Sequence, residues 1–273
     1  MPELPEVETI KQELDKAIVN KKIIGVVVNN AKVIREPKKE KFVAELKNTT
    51  IKNIIRRGKL LILELSSPRQ TRPSGKSLTI HLKMTGQLIY PGNGKMSRVS
   101  FKLSDGKLLD FNDTRLFGEL RIVDDWRNLK FIKELGPEPF DINADKFKEL
   151  LANKKTKIKV LLLDQKFISG IGNLYANESL FRARINPVRP ASSLSDKEKD
   201  LLFEQIKKVL SDAIQHKGSS VDQYVQLSGK PGEYVEYHRV YDREGEKCFK
   251  CGNKVKRIAL GGRGTYFCSS CQK

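Results

Sequence analysis

The chain has 273 residues, enough for two or three compact units, and its 52 Lys plus Arg against 33 Asp plus Glu leave a formal net charge of +19. That excess exceeds what solubility requires and points to a polyanionic partner, nucleic acid first, with ribosome association or membrane-surface binding as the plainer readings. No run of eighteen apolar residues occurs to cross a membrane, and the opening is acidic (Glu3, Glu6, Glu8) where a secretion signal would be basic and then apolar, so a cytoplasmic protein is expected.

Val7, Ile10, Leu14 and Ile18 recur at the three-or-four spacing of an amphipathic helix over residues 5 to 18, with Pro5 suited to its first turn. From residue 22 to about 124 the texture changes to short β-rich runs: Lys22 to Asn29, Leu60 to Leu65, Leu78 to Leu82, Val99 to Leu103 and Glu119 to Val123 among them. Turns such as Ser104-Asp105-Gly106 separate them, and the pattern predicts an antiparallel sandwich in which Ser66 to Ser77 is a loose hairpin tip. After Leu135-Gly136-Pro137-Glu138-Pro139 the periodicity turns helical, with helices expected at 145 to 152, 156 to 164, 173 to 182 and 196 to 216. Gly218 to Tyr237 reads as a long, partly mobile loop of the kind that tends to carry function. Sheets first, then helices, then a small module make the expected fold class α+β.

All four cysteines lie in the last 26 residues, as Cys248-x2-Cys251 and Cys268-x2-Cys271 with 16 residues between the pairs. That spacing suits four thiolates around one tetrahedral Zn2+, and in a reducing compartment a metal is the better reading than disulfides. Four thiolates leave no open position for a substrate, so the zinc would be structural. The intervening stretch can form a hairpin turning at Gly261-Gly262-Arg263-Gly264, and from Lys247 to Lys273 there is no acidic residue. A one-signed hairpin suits contact with phosphates; a solvated turn is the plainer reading of Arg263.

A penultimate proline permits removal of Met1, which would leave a secondary amine at Pro2 with the Glu3 carboxylate beside it. An amine is a covalent catalyst only when deprotonated, and an α-amino group with a pKa of about 8 is free far more often than a lysine at about 10.4. Attack of a secondary amine on C1′ of a deoxyribose gives an iminium ion that is cationic without further protonation, an electron sink for eliminating the neighbouring phosphates. Taken alone, such an opening means only a helix entry.

Six stretches occurring in order along the whole chain together resemble bacterial formamidopyrimidine-DNA glycosylase: Pro2 to Thr9 (PELPEVET), Arg56-Arg57-Gly58-Lys59-Leu60-Leu61, His81-Leu82-Lys83-Met84-Thr85-Gly86, Gly136-Pro137-Glu138-Pro139, Gly170-Ile171-Gly172-Asn173-Leu174-Tyr175 and the cysteine module. The resemblance implies an N-terminal antiparallel β-sandwich flanked by helices as the catalytic domain (1–133), a helix-two-turn-helix DNA-binding domain with a lesion-capping loop (134–238) and a zinc-finger β-hairpin (239–273). It implies a bifunctional glycosylase and abasic-site lyase of base excision repair, a monomer acting on oxidised purines in damaged double-stranded DNA with no membrane involvement. Pro2 would be the Schiff-base nucleophile and Glu3 the acid that protonates the sugar ring oxygen. Lys59 would touch the lesion phosphate and donate a proton during β-elimination, and Arg263 would assist δ-elimination.

By the same resemblance, Met84, Arg115 and Phe117 would fill the gap left by an everted base. Asn173 would bind phosphate at a helix start, His81, Lys154 and Tyr241 would make further DNA contacts, and Gly218 to Tyr237 would close over the base. The chain departs from the pattern in carrying Thr114-Arg115-Leu116-Phe117 where some members carry Pro-Arg-Arg-Phe. Two alternatives stand beside this reading. An endonuclease VIII-type glycosylase for oxidised pyrimidines typically has glycine where this chain has Leu4. A non-enzymatic zinc-ribbon nucleic-acid-binding protein accounts for the charge and the cysteines but leaves the opening and Arg56 to Lys59 unexplained.

Overall fold

The computed structural model describes residues 1–66, 76–221 and 223–273, so the tip expected between Ser66 and Ser77 lies outside the described residues. Internal contacts divide the chain into two compact units, Met1–Lys133 with His216–Glu233, and Glu134–Gln215 with Tyr234–Lys273.

The first unit opens with α1 (Leu4–Ile18), whose buried Val7, Ile10, Leu14 and Ile18 form the stripe expected from their spacing. The strands that follow are β1 (Ile23–Val28), β2 (Ile34–Glu36), β3 (Thr50–Arg57), β4 (Leu60–Ser66), β5 (Ser77–His81), β6 (Gly86–Gly92), β7 (Ser97–Leu103), β8 (Leu108–Asp113) and β9 (Glu119–Val123), with α2 (Lys39–Leu46) between β2 and β3 and the short α3 (Lys130–Lys133) after β9. They make a four-stranded sheet in the order β1-β7-β8-β6 and a five-stranded sheet in the order β2-β9-β5-β4-β3. One core holds Leu61, Leu63, Leu65, Leu78 and Ile80 of the larger sheet, Leu88, Val99, Phe101 and Phe111 of the smaller, and the buried stripe of α1. The alternation of β4 aims Leu61, Leu63 and Leu65 into that core while Leu60 and Ile62 are buried on the opposite face. The sandwich is antiparallel except at one edge: β2 pairs with β9 in parallel, because the three-residue β2 arrives as a short edge strand and not through a hairpin.

Segment 216–233 belongs to this unit and is tied down more closely than its Gly- and Ser-containing sequence suggests. The Tyr90 N–H donates to the Leu227 carbonyl at 2.8 Å, the Leu227 N–H donates to Glu13 at 2.8 Å, and Tyr224 is buried in the shared core.

The second unit carries α4 (Ala144–Leu151), α5 (Ile158–Leu163), α6 (Asn173–Arg182) and α7 (Asp196–Gln215), and ends in β10 (Lys256–Leu260) paired antiparallel with β11 (Arg263–Phe267). Side-chain caps set the starts of two of these helices. Asn143 accepts from the Lys146 N–H at 2.9 Å, and Ser195 and Glu198 exchange side-chain-to-backbone bonds at 2.8 and 3.3 Å. The helix expected from 156 is shorter because Lys157 bridges to Pro190, the Ile158 N–H donates to Arg189 and the Ala191 N–H donates to Thr156, an extended pairing that competes with a helical turn. Among the described residues no helix is long and apolar enough to cross a membrane.

Candidate active site

Pro2 and Glu3 are buried immediately before α1. The Glu3 N–H donates to Glu6 Oε2 at 2.8 Å, one arm of a capping box that fixes the entry of the helix. The other oxygen of Glu6 accepts from the Ser219 N–H at 2.9 Å, so a single carboxylate, 3% exposed, holds both the chain start and segment 216–233. Gly218 sits at φ +77°, where a Cβ would lie 2.9 Å from Glu6 Oε1 and 2.9 Å from the Tyr224 ring, a double constraint that glycine alone meets without strain. Glu6 was legible only as a glutamate three residues after Glu3; its second partner lies 213 residues away.

Lys59 stands at the tip of the β3–β4 hairpin, where Arg57 pairs with Leu60 and Gly58, at φ +57°, takes the first of the two turn positions. A lysine at such a tip is ordinarily solvated, yet Lys59 is 9% exposed. Arg56, next along, is clamped by Glu8 at 2.6 Å and donates to the Gly58 carbonyl at 3.1 Å. His81 pairs with Leu60 across β4–β5, and its Nδ1 accepts from the Lys83 N–H at 3.0 Å. Burial first, then the neighbouring Lys83 cation, opposed by Glu119 and helped least by Lys59, push the imidazole pKa down to about 3. His81 is therefore neutral, with its proton on Nε2 as a donor.

Met84, Arg115 and Phe117 come from two loops joined by one residue the sequence reading did not single out. Asp113, 1% exposed, accepts from the Thr85 hydroxyl, from the Arg115 N–H at 3.2 Å and from the Gly118 N–H at 2.7 Å. One carboxyl group that accepts from three donors is a strong tie. The Arg115 guanidinium lies 4.8 Å from the Phe117 ring centroid and Phe117 is 48% exposed, so the aromatic ring is displayed and not packed away. Leu116, at φ +59°, packs against the core, which accounts for an apolar residue between two exposed ones.

In the second unit Asn173 is the first residue of α6, and Gly172 holds the cap position without a side-chain bond. Both ends of the Asn173 amide are committed: Oδ1 accepts from Lys159 Nζ at 2.7 Å and Nδ2 donates to the Gly264 carbonyl at 3.1 Å. Lys159 is fully buried and donates also to Gly264 O at 3.1 Å and Thr265 Oγ1 at 2.7 Å. Asn173 and Lys159 thus brace the β10–β11 hairpin, whose two-residue turn is Gly261-Gly262 (φ +58° and +70°) and whose next residue, the exposed Arg263, pairs with Leu260. Tyr241 is fixed through its backbone, because the fully buried Glu178 accepts from the N–H groups of Arg239, Val240 and Tyr241 at 2.9, 2.9 and 2.8 Å. Its ring meets Tyr266 at 5.2 Å. Lys154 is exposed just after α4. Nothing local in the sequence marks Glu178 or Lys159, whose partners include groups 61 to 106 residues away.

The Sγ atoms of Cys248, Cys251, Cys268 and Cys271 all lie within 4.8 Å of one another, with 3.9 Å between Cys248 and Cys271 and 3.5 Å between Cys251 and Cys268. Thiolates about 2.3 Å from a tetrahedral Zn2+ are spaced by about 3.8 Å, so the four fit one structural zinc. Gly252 at φ +77°, whose N–H donates to Cys248 O at 2.9 Å, closes the first knuckle; in the second, the Cys268 N–H donates to Gln272 at 2.9 Å.

Family profiles match three parts of the chain: the formamidopyrimidine-DNA glycosylase N-terminal domain at residues 1–120, the H2TH domain of the same enzymes at 135–225, and the zinc finger found in FPG and IleRS at 245–273. A formamidopyrimidine-DNA glycosylase from Pelotomaculum thermopropionicum is 41% identical over all of this chain and 99% of its own length. The crystal structure of the MutM (Fpg) protein from Thermus thermophilus superimposes with a TM-score of 0.87 at 36% identity, covering 99% of this chain and 98% of that one. Lactococcus lactis Fpg in complex with abasic-site DNA does so at 0.88 and 34%, covering 99% of both chains. With the buried proline at its start, the cysteine tetrad at its end and likeness of this extent between them, the chain belongs to the formamidopyrimidine-DNA glycosylase family.

Proposed function

We propose that this chain is a bifunctional DNA glycosylase and abasic-site lyase that removes oxidised purines, 8-oxoguanine and formamidopyrimidines, from double-stranded DNA and then nicks the strand. The observation that carries the reading is the placement of Pro2 and Glu3, both buried at the mouth of α1, with the Glu6 carboxylate holding that start against segment 216–233. Met1 is 40% exposed and open to removal, which leaves Pro2 as a secondary amine. Attack of that amine on C1′ displaces the base and, with a proton from Glu3 to the ring oxygen as the sugar opens, yields the iminium ion. The iminium then draws the electrons of a C2′–H bond, and the 3′ and 5′ phosphates leave in turn by β- and δ-elimination. Lys59 serves the first elimination and Arg263 the second.

The remaining roles follow the chemistry of each group. Neutral His81 donates from Nε2 to a phosphate oxygen, Lys154 and Tyr241 hold the backbone together with Asn173, which acts through the N–H groups at the start of α6 and the second hydrogen of its amide, and Met84, Arg115 and Phe117 enter the space of the everted base. Residues 1–133, 134–238 and 239–273 are read as the catalytic, helix-two-turn-helix and zinc-finger domains, except that segment 216–233 of the second packs with the first, and the enzyme works as a cytoplasmic, nucleoid-associated monomer. Borohydride trapping tests the reading. Native protein incubated with a duplex carrying 8-oxoguanine or an abasic site should give a covalent adduct at Pro2. No adduct removes the lyase activity, and an undiminished adduct from protein that retains Met1 removes Pro2 as its origin.

A further inference from the structure

We propose that Thr114 and Gln223 form a latch that makes closure of segment 216–233 and the setting of the Arg115–Phe117 loop a single event, so that base excision depends on both residues while cutting at an already abasic site does not. The proposal rests on the glycosylase reading above and adds to it two residues that touch neither the nucleophile nor the metal.

The stem of the segment is bonded to acceptors and partners in the protein interior: Ser219 to Glu6, and Leu227 to Glu13 and Tyr90. Between those anchors Gln223 reaches across to β6 and to the loop after β8. The Thr114 hydroxyl donates to Gln223 Oε1 at 3.0 Å, and the Gln87 side-chain amide donates to the Gln223 backbone carbonyl. Thr114 is covalently next to Arg115, whose N–H is bonded to Asp113 and to Thr85, so a displacement at Thr114 is passed to the residues that display Phe117. The contact depends on a hydroxyl at position 114, which the proline of the Pro-Arg-Arg-Phe pattern does not possess.

The strength of the link also suits a latch. Thr114 and Gln223 are both exposed, and a hydrogen bond open to water contributes little, whereas the stem bonds involve buried groups whose loss is costly. The Gln223 contacts can therefore release and re-form as a base passes beneath them while the stem and the buried Tyr224 stay fixed. An everted base must be covered before its glycosidic bond is cut, and the duplex gap must be filled at the same time; an abasic sugar presents no base to cover.

The test measures single-turnover excision from an 8-oxoguanine duplex and strand cutting at a preformed abasic site, for the wild type, Thr114→Ala, Gln223→Ala, the double variant and Thr114→Ser. Each alanine variant should slow excision by about three- to five-fold, the worth of one exposed hydrogen bond. The double variant should be no slower than either single, Thr114→Ser should match the wild type, and abasic-site cutting should be unchanged throughout. Additive losses, a parallel loss at the abasic site, or Thr114→Ala at the wild-type rate would each overturn the latch. A wild-type chain that excises no base sinks the glycosylase reading and the latch with it, whereas a wild type that excises and a Thr114→Ala that equals it sinks the latch alone.

Discussion

The β3–β4 hairpin turns through Gly58-Lys59 and the β10–β11 hairpin through Gly261-Gly262, and each brings a basic residue to its tip; Lys59 is 9% exposed, while Arg263 is exposed. The first hairpin is part of a five-stranded sheet with a large shared core, and its lysine is drawn in beside Leu60 and His81. The second is a two-stranded ribbon over a small cluster of Phe181, Val240, Cys248, Val255 and Cys268, too little apolar surface to hold it without help. Its help is the zinc, together with the Lys159 and Asn173 bonds to Gly264. A large core can place a cation by burial; a small hairpin needs a metal and a brace.

Zinc removal gives the widest separation between the two hairpins. Chelation should abolish duplex binding, because metal binding supplies on the order of 10 kcal/mol to the folding of such modules, while far-ultraviolet circular dichroism still reports the sandwich. Intact binding in stripped protein would show that the brace alone suffices. Lys59→Ala should come next, slowing base excision or strand cutting by about 100-fold or more, with a small change in melting temperature. Equal loss of activity and thermal stability would place Lys59 among the groups that merely fold the hairpin.

Smaller effects sharpen the contrast. If about five phosphates are neutralised, duplex affinity should follow salt with a log–log slope of roughly −4 to −5, and Arg263→Ala should reduce its magnitude by about one. A flat response would discredit the use made of the net charge. His81 should contribute least to salt dependence and most to acid sensitivity. Its folded pKa of about 3 lies below the unfolded value of 6.5, so the stability it confers is complete above pH 6.5 and is lost as pH falls from there toward 3. His81→Gln should therefore flatten the decline in melting temperature between pH 7 and 4, and a decline as steep as the wild type's would remove His81 as its source.

Much of the site was legible from local pattern. The apolar spacing of Val7, Ile10, Leu14 and Ile18 places α1 and hence Pro2 at its mouth, and the two Cys-x2-Cys pairs come together as their spacing requires. What was not legible shares one physical cause. Glu6, Asp113, Lys159 and Glu178 are buried polar groups, which are stable only with partners, and each takes at least one partner from a distant segment. The shortened α5 has the same origin, since its first turn loses its N–H and C=O groups to residues 189 to 191.

Sequence alone determined the order of elements, the metal ligands and the residue types able to form an iminium, because helical periodicity, thiolate spacing and amine basicity are properties of neighbours in the chain. Only the tertiary structure decided that Lys59 is buried at a turn, that His81 is uncharged, that Asp113 joins the two loops bearing Met84, Arg115 and Phe117, and that Glu6 ties the chain start to Ser219. These depend on desolvation and on hydrogen bonds between segments far apart in the chain, and neither exists until the sheets have closed over their core.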